Sequence, residues 1–328
     1  MGVIARRGFL RGAAVASLTV LGSRAAHAQA EDAWPNRPVR VIVPLAPGGG
    51  IDFIARTVGE YVSRQIGQQV VVENRTGAGG TLGMDAVMKS PPDGYTVLVT
   101  NDNAASAPHI LGLPYDYTQE LVPVINLAWQ PQVLAVHPSL GVSSVAELIA
   151  HAKANPGLGY ASSGVGSNQH ILGEWFKRES GLKLDHVPYR GAGQAINDLI
   201  AGHVKIALLG PTALVPHYKA DKLRLLAQSS VKRAKVLPEI PTLEEAGFKG
   251  MVLEAWYAAF APKGTAPAIV ARLNAEMGKA LADPAMQDSF TRGSMEPTGG
   301  SAQDLGKLAR ADSEKYERLV RELNLKQN

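Results

Sequence analysis

From Trp34 onward, short runs of β-branched residues alternate with amphipathic stretches. Val39-Arg40-Val41-Ile42-Val43 reads as a strand. Ile51, Ile54, Ala55, Val58, Tyr61, Val62 and Ile66 then recur at three- and four-residue spacing up to Gly67, which predicts a helix with a glycine C-cap. Val70-Val71-Val72, a Gly-rich turn, a helix ending near Lys89 and the strand Tyr95–Val99 repeat the theme. This is βαβ grammar, and it predicts a mainly parallel sheet flanked by helices.

A second series starts at Val133–Val136. Ser144-Val145-Ala146-Glu147 has the form of a capping box opening a helix to about Asn155. Strands at Gly159–Ser162, His186–Tyr189 and Val204–Leu208 follow, with a helix from Ala192 to Ala201 closed by Gly202. Long amphipathic stretches, Ala266–Leu281 and Ala302–Leu323, predict two further helices packed back on the first series. With 328 residues the chain exceeds the comfortable size of one hydrophobic core, so two α/β domains are expected.

The first 30 residues break the pattern. Arg6-Arg7-Gly8-Phe9-Leu10-Arg11 precedes a mildly apolar run from Gly12 to Gly22, and Ala26-His27-Ala28-Gln29-Ala30 offers small residues around a cut near Ala28 or Ala30. That order reads as a cleaved signal peptide of the twin-arginine type and places the product in the periplasm. The apolar run spans about 11 residues where a membrane-spanning helix needs roughly 20. Cysteine is absent, which excludes a lipid-modified cysteine at the cut, disulfides and thiolate zinc sites.

Charge then changes the picture. Residues 1–30 carry four arginines and no acidic residue, which equals the whole formal charge of +4, so the remainder has 29 basic and 29 acidic side chains. A basic surface for nucleic acid is not expected.

Candidate chemistry lies in three strand-to-helix turns: Pro44–Gly50, Gly77–Thr81 and Ser162–Asn168. Glycines there let backbone approach a ligand, and free N–H groups at a helix start favour an anion. In an α/β sheet such turns gather at the carboxyl ends of strands, where ligands bind. The dinucleotide pattern G-x-G-x-x-G fails at Gly77-x-Gly79, where Leu82 takes the third position, and at Gly164-x-Gly166, where Gln169 does. Walker A, G-x-S-x-G and H-E-x-x-H sequences are absent, so no cofactor, metal or catalytic residue is expected; His170, one turn into a helix, reads as structural.

The motifs resemble a known family. Trp34-Pro35-x-Arg37-Pro38, Val41-Ile42-Val43-Pro44-x-x-Pro47-Gly48-Gly49-x-x-Asp52-x-x-Ala55-Arg56, Val72-Glu73-Asn74-Arg75-x-Gly77-Ala78-Gly79-Gly80 and Pro92-Asp93-Gly94-Tyr95-Thr96 are similar to the substrate-binding proteins of tripartite tricarboxylate transporters, the Bug family. The likeness continues through Ala152–Gly157, Tyr160–Gly164, His186–Gly191 and Leu237–Gly247, and so covers essentially the whole mature chain.

The resemblance implies a two-domain periplasmic binding protein fold, class II-like, with the ligand in the interdomain cleft. Residues 31–130 with 256–328 would form one domain and 131–255 the other, joined by crossing strands. The bound molecule would be a small mono- or dicarboxylate, handed by a monomer to the permease subunits of the membrane transporter; a periplasmic sensor signalling to a two-component kinase is the alternative, and a carboxylate-processing enzyme a weaker third option. Leu45, Ala46, Pro47, Gly48 and Gly49 would contact the ligand from the first domain, and Ser162, Ser163, Gly166, Ser167, Asn168 and His170 from the second. Asp52 would hold the loop and first helical turn, since a bare carboxylate would repel an anion. Two segments depart from the family pattern. Leu209-Gly210-Pro211-Thr212 stands where many relatives carry an acidic or amide residue, leaving open what Gly210 reads, and the polar Asn101-Asp102-Asn103 could turn Asn101 to the cleft or form a solvated turn.

Overall fold

The computed structural model describes residues 34–325, so the signal peptide expected over residues 1–30 lies outside the described residues. Strand β1 is Val39–Val43, with all but Arg40 buried. Helix α1, Gly50–Ile66, buries Ile51, Ile54, Ala55, Val58 and Val62 as one stripe and ends at Gly67 in the left-handed region, φ 65°. Each isoleucine or valine of the stripe contributes about 1.5–3 kcal/mol relative to exposure. Strand β2 (Val70–Asn74), α2 (Thr81–Met88), β3 (Thr96–Asn101), α3 (Asn103–Leu111), the short α4 (Tyr117–Glu120) and the long β4 (Leu121–Pro131) complete the first series.

The second series runs β5 (Val133–Val136), α5 (Val145–Ala154), β6 (Gly159–Ser162), α6 (Asn168–Ser180), β7 (Asp185–Pro188), α7 (Ala192–Ala201), β8 (Ile206–Leu209), α8 (Pro211–Tyr218) and β9 (Arg224–Gln228). Ser144 caps α5 by accepting from the Glu147 N–H at 3.2 Å, while the Glu147 carboxylate takes the N–H of Ser143 rather than that of Ser144, so the predicted box closes one residue early. The chain returns through β10 (Glu254–Pro262), α9 (Pro267–Ala282), α10 (Pro284–Arg292), β11 (Glu296–Gly299) and α11 (Ala302–Glu322). As expected, α9 and α11 pack on β4 in the first sheet.

A six-stranded sheet has the order β11-β4-β10-β3-β1-β2, and a five-stranded sheet the order β7-β6-β8-β5-β9. Both are mixed, where the βαβ alternation predicts mainly parallel sheets. β1 pairs in parallel with β2 and β3, and β6 with β7 and β8. The antiparallel ladders come from strands that run between the two sheets or return from them: β10 on β3 and β4, β11 on β4, and β5 on β8 and β9. No helix separates β4 from β5, only Gln132, so the chain enters the second sheet without the crossover that a parallel pairing needs.

The crossing segments are tied side by side. Ser229 N–H donates to Gln132 O at 2.8 Å, Gln132 N–H donates to Ser229 Oγ at 2.9 Å, and Ser229 Oγ donates to Leu253 O at 2.6 Å. Buried polar groups need such partners, and here backbone and a serine supply them where two sheets exchange strands. Among the described residues no helix is long and apolar enough to cross a membrane.

Candidate ligand-binding site

Between the sheets lies a small cavity bounded by Leu45, Ala46, Gly49, Gly50, Ile51, Asp52, Asn101, Gln130, Ser163, Gln169, Ala192, Gly210, Ala213 and Tyr257. Three helices begin at it. Helices α1, α7 and α8 have Gly49, Gly191 and Gly210 as N-caps, none offering a side-chain acceptor to the first turn. By contrast, α5, α6 and α11 are capped by Ser144, Ser167 and Ser301. The first N–H groups of a helix have no partner inside it, so uncapped starts leave donors free and set the positive end of the dipole at the cavity; α8 offers one donor fewer, because its first residue is Pro211. Among the described residues no lysine, arginine or histidine belongs to the wall.

The loop that begins α1 is fixed by Asp52. Its carboxylate accepts from Gly48 N–H at 3.2 Å, Arg56 Nε at 3.1 Å and Asn74 Nδ2 at 3.0 Å, and Asn74 Nδ2 also donates to Leu45 O at 2.9 Å. Burial pushes the carboxyl up, but the bonds from Arg56, Asn74 and Gly48 and the charge of Arg56 outweigh it and hold the group below its ordinary value. Its lone pairs are thereby directed into the loop. Asp52→Ala should cost about 2 kcal/mol in urea unfolding at pH 7, because Asn74 and the Gly48 N–H lose their acceptor. The folded value is depressed, so this stabilisation is present above the ordinary 3.8 and is lost as pH falls below it; the gap to wild type should narrow there.

The two halves touch around the cavity mouth. Ala46 N–H donates to Arg190 O at 3.1 Å, and Ser106 Oγ donates to Gly166 O at 2.6 Å. A methyl group on Gly193 would lie 2.2 Å from Pro47 O, and one on Gly79, whose φ is 65°, would lie 2.4 Å from Val165 O. The Gly77–Gly80 turn faces the Ser163–Val165 and Pro188–Arg190 segments across a wider opening.

Of the residues singled out in the sequence, Leu45, Ala46, Gly49, Asp52, Asn101, Ser163 and Gly210 line the cavity. Pro47 and Gly48 are exposed and are not among the lining residues; they lie against Gly193 of the other half. The others stand behind the wall. Ser162 Oγ is 2.7 Å from His186 Nε2; Gly166 packs on Ala107; Ser167 caps α6. His170 stacks on His186 with centroids 4.1 Å apart, and burial lowers the two imidazoles to about 4 and about 3, so both are neutral at pH 7. Asn168 lies beside Asp102 and Tyr316, with neither amide atom hydrogen-bonded among the described residues.

Gly50, the last residue of the first Gly-rich turn, also lines the cavity, whereas sequence reasoning missed Ile51, Gln130, Gln169, Ala192, Ala213 and Tyr257. Two left a trace: Gln130 is a polar residue inside an apolar strand, and Ala192 follows a glycine at a helix start. Ser163 and Gln169 form a buried chain: Gln169 Oε1 accepts from the Ser163 hydroxyl and N–H, and Gln169 Nε2 donates to Gln132 Oε1 at 2.9 Å, linking the wall to the crossing segments.

Residues 54–325 match the family described as "Tripartite tricarboxylate transporter family receptor". The chain is similar to the periplasmic binding protein BugD, at 29% identity and a TM-score of 0.86 over 90% of this chain and 100% of that one. It is similar to Rpa4515 of R. palustris with adipate, at 33% identity and 0.85 over 89% and 98% of the two chains. MatC (Rpa3494) from Rhodopseudomonas palustris with bound malate gives 29% and 0.83 over 88% and 100%.

Proposed function

The chain belongs to the tripartite tricarboxylate transporter receptor family, the Bug proteins, and from that premise we propose that it captures a small organic carboxylate in the periplasm and delivers it to membrane permease subunits. Members of this family are substrate-binding proteins and not enzymes. The observation that carries the reading is the meeting of three helix starts without side-chain caps at one cavity whose wall, among the described residues, has no cationic side chain. Backbone N–H groups and helix dipoles then supply the attraction for a carboxylate, and desolvation on closure strengthens it. Asp52, tied to its own loop, does not oppose the anion.

The six-stranded half, residues 31–130 with 256–328, and the five-stranded half, residues 131–255, act in this reading as two domains that open and close about the crossing segments at Gln132, Ser229 and Leu253. Adipate and malate in the structures of relatives support a carboxylate ligand. Export by the arginine-rich leader brings the protein to the compartment where the permease takes its load. Deletion of the gene tests the role: loss of growth on the ligand with unchanged gene induction supports transport, whereas unchanged growth with lost induction supports a sensor.

A further inference from the structure

Gln130 is buried, its terminal amide lodged between two hydroxyls at the cavity wall. Tyr257 Oη is the partner of Gln130 Nε2, and Thr212 Oγ1 lies 2.9 Å from Gln130 Oε1. The same Thr212 oxygen lies 2.7 Å from Gly293 O. A hydroxyl has one proton and cannot satisfy two carbonyl oxygens at once. The oxygen and nitrogen of an amide occupy equivalent positions and are told apart by their partners. With the Gln130 amide turned over, its nitrogen donates to Thr212 Oγ1, Thr212 donates to Gly293 O, and Tyr257 O–H donates to the Gln130 oxygen. Each contact then joins one proton to one acceptor.

That order fixes what the wall offers. The Tyr257 O–H is then engaged as a donor to Gln130, and its oxygen lone pairs are left to accept from the cavity. Burial and the neighbouring Asp102 push the phenol up, so it stays un-ionised. Gly210 abuts Gln130, and the helix it begins has Pro211, without an N–H, at its first position. A second carboxylate beside Tyr257 would meet the tyrosine's lone pairs with no cationic side chain among the lining residues to compensate, and an ammonium would find only one carboxylate among them, Asp52, already engaged by Arg56.

We propose that Tyr257, held by Gln130, is a specificity-determining residue that accepts a hydrogen bond from the ligand, and that the ligand is therefore a hydroxy monocarboxylate. This rests on the carboxylate reading above and narrows it. Calorimetric titration of the mature protein with C3 to C6 monocarboxylates, their hydroxy acids, the matching dicarboxylates and amino acids tests it. A hydroxy acid should bind about tenfold or more tighter than its unsubstituted, dicarboxylate and amino-acid counterparts. In Tyr257→Phe that preference should fall to about threefold or less. A dicarboxylate or amino acid binding tightest in wild type overturns the inference without recourse to any variant, as does a folded Tyr257→Phe protein that keeps the preference. If no carboxylate binds, the carboxylate reading falls and this inference with it; if monocarboxylates bind without regard to the hydroxyl, this inference alone falls.

Discussion

Gly193→Ala is expected to weaken ligand binding by about 100-fold while leaving the melting temperature within a few degrees of wild type. The added methyl would sit 2.2 Å from Pro47 O, 3.3 Å from Pro47 C and 3.4 Å from Gly48 Cα. All three are backbone atoms, so no side-chain rotation relieves the contact. Gly193 lies in the first turn of α7 on the five-stranded half, and Pro47 on the loop after β1 of the other half. The clash therefore exists only when the halves meet. Disfavouring the closed form by about 3 kcal/mol lowers the apparent affinity by the corresponding two decades. Within the helix itself alanine is better than glycine by about 1 kcal/mol, which offsets minor losses in fold stability. Titration calorimetry and scanning calorimetry on the same sample separate the two effects. Normal affinity in the variant would show that the Pro47–Gly193 approach is not part of the bound state.

Asp102→Asn is expected to stabilise the protein increasingly as pH rises, by an amount on the order of 3 kcal/mol at pH 8. Asp102 is completely buried at the start of α3, and burial raises its carboxyl to about 7. The Tyr316 hydroxyl donates to Oδ2 and, with Lys315 and Asn168, favours the charged form, while Asp312 opposes it. Oδ1 has no hydrogen bond among the described residues. The folded value lies above the ordinary 3.8, so between 3.8 and about 7 the folded state holds the extra proton. Its stabilisation is complete below that window, declines as pH rises through it and is gone above it. An asparagine keeps an oxygen for Tyr316 and offers an N–H toward Asn168, without the cost of burying charge. The difference in melting temperature between variant and wild type should thus be near zero at pH 4 and several degrees at pH 8. A constant difference across that range would mean that Asp102 does not titrate as its surroundings require.

The alternation of β-branched runs with amphipathic stretches is a local property, and it located α1, α5, α7, α9 and α11 to within one or two residues. Which strands lie antiparallel is not local. β4 and β10 carry apolar residues on both faces, as a strand in the middle of any covered sheet would, and their direction is set by the passage between the two sheets. The three loops were legible because glycine in such turns has a steric reason: Gly48, Gly79, Gly164 and Gly166 all take φ between 65° and 131°. Within the third loop, however, sequence cannot say which side chains turn inward. Ser163 reaches the cavity while Ser162 beside it turns to His186, and Gln169 reaches it while His170 turns away. Tyr257 was invisible for another reason. It sits in an apolar run, and only the pairing of β10 with β3 and β4 sets it beside Asn101 and near Gln130.

A thermal-shift screen of the mature protein against about a hundred small carboxylates, each paired with its neutral amide, separates recognition of the anion from recognition of the carbon skeleton, because a ligand selective for the folded state raises the melting temperature by linkage. The expected result is a large concentration-dependent rise with one family of carboxylates and none with their amides. A rise of equal size with the amides, or no rise with any acid, would contradict an anion held by the helix starts at Gly49, Gly191 and Gly210.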